Sequence, residues 1–352
     1  MLSRVADSIF WMARYVERAE NCSRLLLSTQ DLLLDAGAER ANESQFWQPI
    51  LATTGDESVF HGLFPEITGK AVASFLTLSE ENPNSILSCI RAARENARTV
   101  RDQISDELWE SVNSLKIYAQ NSEAASVDLA QSAAFHEQVI STSNLFQGVA
   151  ASTIPRGEVW HFLRLGTCLE RADKMSRLVD SCSNLALEMP PHPKARPLRW
   201  AALLRSSSAW HAFQAQSSRL DPKSIVEYLL LEPEFPRSVA CSANELANTL
   251  EILCGSNPKG DLALPVRLAG RLQAELAYTT IEEVLDHGLN EYIDDLQTKL
   301  NGIGHAIFQA FVFCADFVPV EEANVTLFVQ PTLGAWHRGI ENIMEVQQQQ
   351  QQ

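Results

Sequence analysis

Apolar residues return every three or four positions along nearly the whole chain, and the strict alternation that a half-buried strand needs is almost absent. This periodicity restricts the 352 residues to an all-α fold, a multi-helix bundle with long helices. It predicts helices over 3–36, 42–53, 68–79, 84–104, 106–121, 126–150, 156–187, 198–216, 222–231, 238–254, 261–287 and 289–316. Asn84, Ser238 and Asp261 read as N-caps, and Gly37, Gly148, Gly255 and Gly288 as stops. One segment, Asn324 to Val329, alternates enough to form a short extended piece. Four prolines between Met189 and Pro197 exclude a helix there. They divide the chain into an N-terminal helical part (1–188), a connector (189–198) and a C-terminal helical part (199–320) expected to pack on the first as one unit. A tail (321–352) follows, and its six closing glutamines have nothing to bury and are expected to be disordered.

The chain also repeats itself. Glu17-Arg-Ala-Glu-Asn-Cys-Ser-Arg-Leu25 returns 153 residues later as Glu170-Arg-Ala-Asp-Lys-Met-Ser-Arg-Leu178. Both copies lie inside long predicted helices, which suggests duplicated helical layers related by a pseudo-twofold axis. At about 100° per residue, Glu17, Glu20, Asn21 and Arg24 share a face, as do Glu170, Asp173, Lys174 and Arg177, with Arg18 and Arg171 to the side. Val5, Ile9, Met12, Val16, Leu26 and Leu27 cover much of the first helix. Charges placed among them must be paired, because an unpaired buried charge is costly. Two readings follow. In one, the helices exchange Glu–Arg forks and the motif is structural. In the other, the copies line a polar pocket, with Glu17 and Glu170 as acid/base groups and Arg18, Asn21, Arg24, Arg171, Asp173 and Arg177 binding substrate.

A second cluster, Arg91, Arg94, Arg98 and Arg101, occupies an arc of about 80° on one helix. Ile86, Ala93, Ala97, Val100 and Ile104 face the other way. The stripe either pairs with acidic neighbouring helices or, with Arg156, binds an anion or an acidic partner surface. It is a local exception in a chain of net charge −16. That charge argues against nucleic acid and anionic membrane surfaces as partners.

Chemistry of other kinds finds little support. Glu158-Val-Trp-His161 is a single E-x-x-H where a di-iron bundle needs two, and Glu283 with His287 lacks an H-E-x-x-H, so no metal site is expected. His136, His211 and His305 have no partners that mark them as catalytic. Nucleophile-elbow and phosphate-loop motifs do not occur, and no cofactor is expected. Seven cysteines without a C-x-x-C suggest reduced thiols, and no signal peptide or membrane span is read, which together indicate a cytoplasmic protein. Cys22 and Cys168 lie in or beside the repeats, either as packing residues or as thiols activated by arginine.

Several blocks in order carry a resemblance: Leu2 to Asn21, Ala93 to Ser105, Leu108-Trp-Glu110 with Asn113, Thr153-Ile-Pro-Arg156, Trp160-His-Phe, Leu165-Gly166, Leu169 to Asp173 and Phe235-Pro-Arg-Ser-Val239. Over residues 2 to about 315 the chain resembles the bacterial alpha-E proteins, a helical family with a Glu-Arg motif. Asn21 against Lys174 is a departure from strict symmetry between the copies. The resemblance implies a setting beside, or fused to, circularly permuted ATP-grasp proteins, often with transglutaminase-like proteases. It therefore implies a role in making, modifying or trimming a peptide amide bond. On that basis the chain is expected to be an accessory subunit of an ATP-grasp amide ligase, docking the ligase or presenting a peptide or amino-acid substrate. The alternatives are an enzyme in its own right and a purely structural scaffold.

Overall fold

The computed structural model describes residues 1, 3–36, 44–125, 128, 130, 132–188, 195–217, 219–255 and 258–312. Their helices run α1 (Ser3–Ala36), α2 (Ser44–Thr54), α3 (Glu57–Leu63), α4 (Gly69–Thr77), α5 (Ile86–Thr99), α6 (Asp106–Ala125), α7 (Ala133–Thr153) and α8 (Glu158–Glu188). Then follow α9 (Ala195–Ser206), α10 (Trp210–Gln216), α11 (Pro222–Leu231), α12 (Val239–Cys254), a 3-10 turn (Gly260–Leu262), α13 (Ala263–Tyr278), α14 (Ile281–His287) and α15 (Leu289–Phe311). No strand occurs among the described residues, and the fold is all-α. Gly37, residues 189–194 of the proline-rich connector, the segment 324–329 and the glutamine end lie outside the described residues. Contrary to expectation the connector's end is helical, because Pro197 falls in the first turn of α9, where its missing amide breaks no helical bond.

Local chemistry sets the helix ends. Ser238 caps α12 as read from the sequence, but α5 is capped by Ser85, whose hydroxyl accepts from the Ser88 amide; Asn84 is drawn instead into the interior. The single helix expected over 198–216 is interrupted at Ser207–Ala209, where Ser208 takes φ 58°, a left-handed conformation that ends a helix. That expected over 261–287 is interrupted at Thr279, because Thr280 and Glu283 form a reciprocal capping box that restarts the chain as α14. Asp261 sits inside the 3-10 turn and caps nothing. Gly148 is no stop: it lies exposed in the interior of α7. The seven-residue α3 was not foreseen, being too short to show a period.

The duplication extends far beyond the nine-residue motif. One shift of 153 residues carries α3 onto α10, α4 onto the first nine residues of α11, and the start of α5 onto the start of α12. It also relates α1 to α8, α2 to α9, α6 to α13 and α7 to α15. Trp47/Trp200, Phe60/Phe213, Leu76/Leu229, Pro83/Pro236 and Ser85/Ser238 are identical across it.

Packing follows the same rule. In the first half α1 lies on α5 and α7, and α6 joins those two; in the second α8 lies on α12 and α15, joined by α13. The halves are then interlocked, since α2 packs mainly on α8 and α9 mainly on α1. The long helices α1 and α8 meet along their middles at small residues. A Cβ on Gly166 would lie 2.3 Å from the Phe10 carbonyl oxygen and 3.1 Å from the Cβ of Ala13, which is Gly166's own counterpart. All described residues belong to one compact unit, Met1–Phe317.

Candidate functional site

The close approach of α1 and α8 carries both Glu-Arg motifs into the core. Glu17, Glu20 and Glu170 have no exposed surface, and Arg14, Arg18, Asp173, Lys174 and Arg177 are buried with them. The exchange is reciprocal. Arg18 on α1 donates to both oxygens of Glu170 on α8 (2.6 and 3.0 Å), and Arg171 on α8 donates to Glu17 on α1 (2.9 Å). Outside this pair, Arg24 holds Glu20 (2.8 Å) and Arg177 holds Asp173 (3.0 Å), again as equivalents.

Further groups extend the network, and sequence reasoning missed them. Arg14 donates to Glu170 (2.8 Å). Arg237, in the turn before α12, donates to Glu17 (2.9 Å), Glu20 and Asn21 (3.4 Å). Asn84, in the turn before α5, accepts from Arg18 and donates to the buried Asp56 (2.9 Å). Ser143 on α7 donates to Glu20 (2.5 Å). A signal for two of these was present: Pro83-Asn84-Ser85 and Pro236-Arg237-Ser238 stand at the same 153-residue spacing as the motifs.

The departure at Asn21 and Lys174 now has a physical account. Lys174 and Asn84 line one cavity of about 30 Å³, together with Arg18, Asn21, Cys22 and Thr53. Asn21 lies beside Arg237. Each copy thus has one cation and one amide at this place, with the cation on the long helix in one and on the turn in the other. Cations at both positions would repel at close range in a poorly solvated site.

Electrostatics fix the protonation states. Burial alone would raise the Glu17 carboxyl, but Arg171 and Arg237 outweigh it and hold it below its ordinary range. Glu170 is lowered against the same burial by Arg18, Arg14 and Lys174, and Asp173 by Lys174 and Arg177. Arg18 is raised despite burial, because Glu170 faces it, and Arg171 likewise by Glu17. Asp56 is the exception, raised by desolvation. At neutral pH Glu17, Glu170 and Asp173 are therefore charged and paired, poor acceptors of a substrate proton. Burial pushes the thiols of Cys22 and Cys168 up, the latter to about 11, so neither is an activated nucleophile.

The arginine stripe lies on α5 and is paired locally. Arg91 meets Glu80 (2.6 Å) and Glu123 (3.3 Å), Arg94 and Arg98 share Glu95 (2.6 and 2.8 Å), and Arg101 meets Asp106. Arg156 stacks on Trp160 at 3.7 Å and donates to the Ala151 carbonyl (2.9 Å). Among the described residues no group of three or more His, Cys, Asp or Glu is placed to hold a metal, and no helix is long and apolar enough to cross a membrane.

The model of the Alpha-E family, described as a predicted alpha-helical domain with a conserved ER motif, matches residues 1–312. The chain belongs to the Alpha-E family. In this member the Glu-Arg dipeptides at 17–18 and 170–171 are the centre of the interlock between the two halves. Uncharacterized proteins of Mycobacterium bovis and Mycobacterium tuberculosis are 22% identical over 353 residues, which covers 96% of this chain but 39% of each relative. The chain thus spans about two fifths of the length of those proteins. No solved structure matches it.

Proposed function

We propose that this Alpha-E chain is a non-catalytic accessory subunit of an ATP-grasp amide-ligase system, docking the ligase or presenting a peptide or amino-acid substrate to it. The observation that carries this reading is the state of Glu17 and Glu170: both are wholly buried, and both are occupied by arginines of the other half. A proton-transferring carboxylate needs access to substrate and a pKa near the working pH, and these groups have neither. The competing view, in which the two glutamates are acid/base groups and the motif arginines clamp substrate, asks the network to open and leave charges unpaired in the core. The match to 39% of longer relatives supports a module that works alongside other chain segments.

The test is co-expression with the cognate circularly permuted ATP-grasp protein. The expected result is co-elution and a ligase rate that depends on this chain. Absence of co-elution together with an unchanged rate on adding the chain would remove the proposal. Retention of a transglutaminase-like protease in the same assembly would extend it to the trimming step.

A further inference from the structure

The internal duplication supplies a control for every surface of the molecule, and at one place the two halves differ sharply. In the first half an aromatic ring occupies the place beside the Phe60–Phe75 pair of α3 and α4. Phe64 stacks on Phe60 (ring centroids 5.0 Å) and meets Phe75 edge-on (6.3 Å), while Arg91 bridges Glu80 and Glu123 across the top. In the second half the first two rings remain as Phe213 and Tyr228, 5.5 Å apart in the same edge-on contact as Phe60 and Phe75. The plug is gone. A shift of 153 replaces Phe64 by Ser217, Arg91 by Asn244, Glu80 by Pro233 and Glu123 by Leu276.

The backbone conformation at the plug position is alike in the two halves. Phe64 sits at φ −125°, ψ 130° and Ser217 at φ −135°, ψ 130°. Phe235 packs on Tyr228 (5.0 Å) without lining the space. What remains is a groove of about 750 Å³ with Phe213, Ser217, Tyr228, Leu231, Asn244 and Leu276 among its walls. This is the size of an ordinary ligand site.

Its charge has become more negative. One cation, Arg91, and two carboxylates, Glu80 and Glu123, give way to the three carboxylates Glu227, Glu232 and Glu282 at positions where the first half's sequence has Ser74, Ser79 and Leu129. These acids are spread along the groove, on α11, on the turn after it and on α14, and do not converge on a point. The rim already takes an ammonium group, since Lys223 pairs with Glu282.

We infer that this groove binds a cationic peptide segment, its lysine or arginine heads on Glu227, Glu232 and Glu282 and its side-chain stems against Tyr228 and Leu231. The inference does not depend on the ligase proposal, because it rests on the difference between the two halves alone.

The probe is a fluorescent hexapeptide of alternating lysine and leucine, with a glutamate–leucine peptide as its counterpart, followed by anisotropy on the full chain. The lysine peptide should bind and the glutamate peptide should not. Glu227→Gln combined with Glu232→Gln should weaken binding about tenfold or more. Ser217→Phe, which restores the first half's plug, should do the same with an unchanged Tm; if that variant folds poorly, Asn244→Arg is the second plug. Absence of binding overturns the proposal. So does binding that falls with the charge variants but ignores both plugs, since it would then be diffuse attraction to an acidic surface. Spermidine binding as tightly as the peptide would overturn the peptide assignment in favour of a small amine.

Discussion

Glu170 accepts from Arg14 and Arg18 with Lys174 nearby, so its charge is balanced by groups that cannot reach water if it is removed. Glu170→Gln and Glu17→Gln should each destabilise the protein by about 3–5 kcal/mol in urea unfolding, the usual cost of breaking a buried pair. A loss well under about 1 kcal/mol would show that the cations relax to solvent, as an open pocket allows. The same groups set the acid limit. Their folded pKa values lie below the ordinary 4.5 of Glu and 3.8 of Asp, so the unfolded chain takes up protons first as pH falls. Their stabilisation is complete above about pH 5 and drains away below about 4.5. Asp56, raised by burial, has the opposite slope just above pH 3.8 and blunts the effect. Thermal melts across pH 3–7 should show this fall, and the Glu17→Gln, Glu170→Gln pair should flatten it. A sharper test uses the two copies against each other. Asn84→Arg puts a second cation beside Lys174, where the cavity holds about 30 Å³, and should destabilise. Adding Lys174→Asn recreates the Asn21–Arg237 arrangement and should recover about 1 kcal/mol or more of the loss as coupling energy. Independent, additive effects would refute the equivalence of the copies. The motif residues were legible because six of nine positions repeat identically; Ser143 was not, and Asn84 and Arg237 were marked only by the repeated Pro-x-Ser around them, since each reaches the site from another element.

At the scale of single helices, the glycines separate what a sequence can and cannot say. Gly148 and Gly166 are both helical, and the sequence offers one as a stop and gives the other no structural role. In the fold Gly148 is exposed inside α7 with nothing within 4 Å of an added Cβ, whereas Gly166 is where α8 touches the backbone of α1. Gly148→Ala should therefore stabilise by about 0.5–1 kcal/mol through helix propensity. Gly166→Ala should destabilise by about 1–3 kcal/mol, because a carbonyl 2.3 Å away must move and the helix with it. Guanidinium melts of the two variants give the comparison, and equal effects would mean that α1 and α8 are not in close contact. Helix existence was readable in the longer segments, though not in the seven residues of α3, because amphipathic period is a property of a segment long enough to show it. The breaks at Ser208 and Thr280 were not, since a left-handed serine and a Thr-x-x-Glu box compete with a periodicity that continues across them.

Over the whole molecule, the duplication was visible only at its most polar point. Elsewhere isolated identities such as Trp47/Trp200 and Phe60/Phe213 stand among pairs that keep only size, as Val72/Ile225 and Phe75/Tyr228, and pairs that keep neither size nor polarity, as Phe64/Ser217, so the shift of 153 surfaces as scattered matches. Nor does a repeat say whether its copies sit side by side or interlock. Here they interlock: α2 covers α8, α9 covers α1, and each motif glutamate is neutralised by an arginine of the other copy. A half expressed alone would expose the faces that its partner's α2 or α9 covers, and would strand Glu17 and Arg18, or Glu170 and Arg171, without their counterions. Fragments 1–155 and 156–352, which separate α1–α7 from α8–α15, should accordingly be aggregation-prone when produced separately and melt without a cooperative transition. Produced together they should form a one-to-one complex with helical circular dichroism and a single melt near that of the intact chain. Placing Glu17→Gln in the first fragment should weaken that complex, since Arg171 and Arg237 of the second then face a neutral amide. Two separately stable, cooperatively melting fragments would mean that the interlock contributes little, and that the Glu-Arg centre joins domains that fold independently.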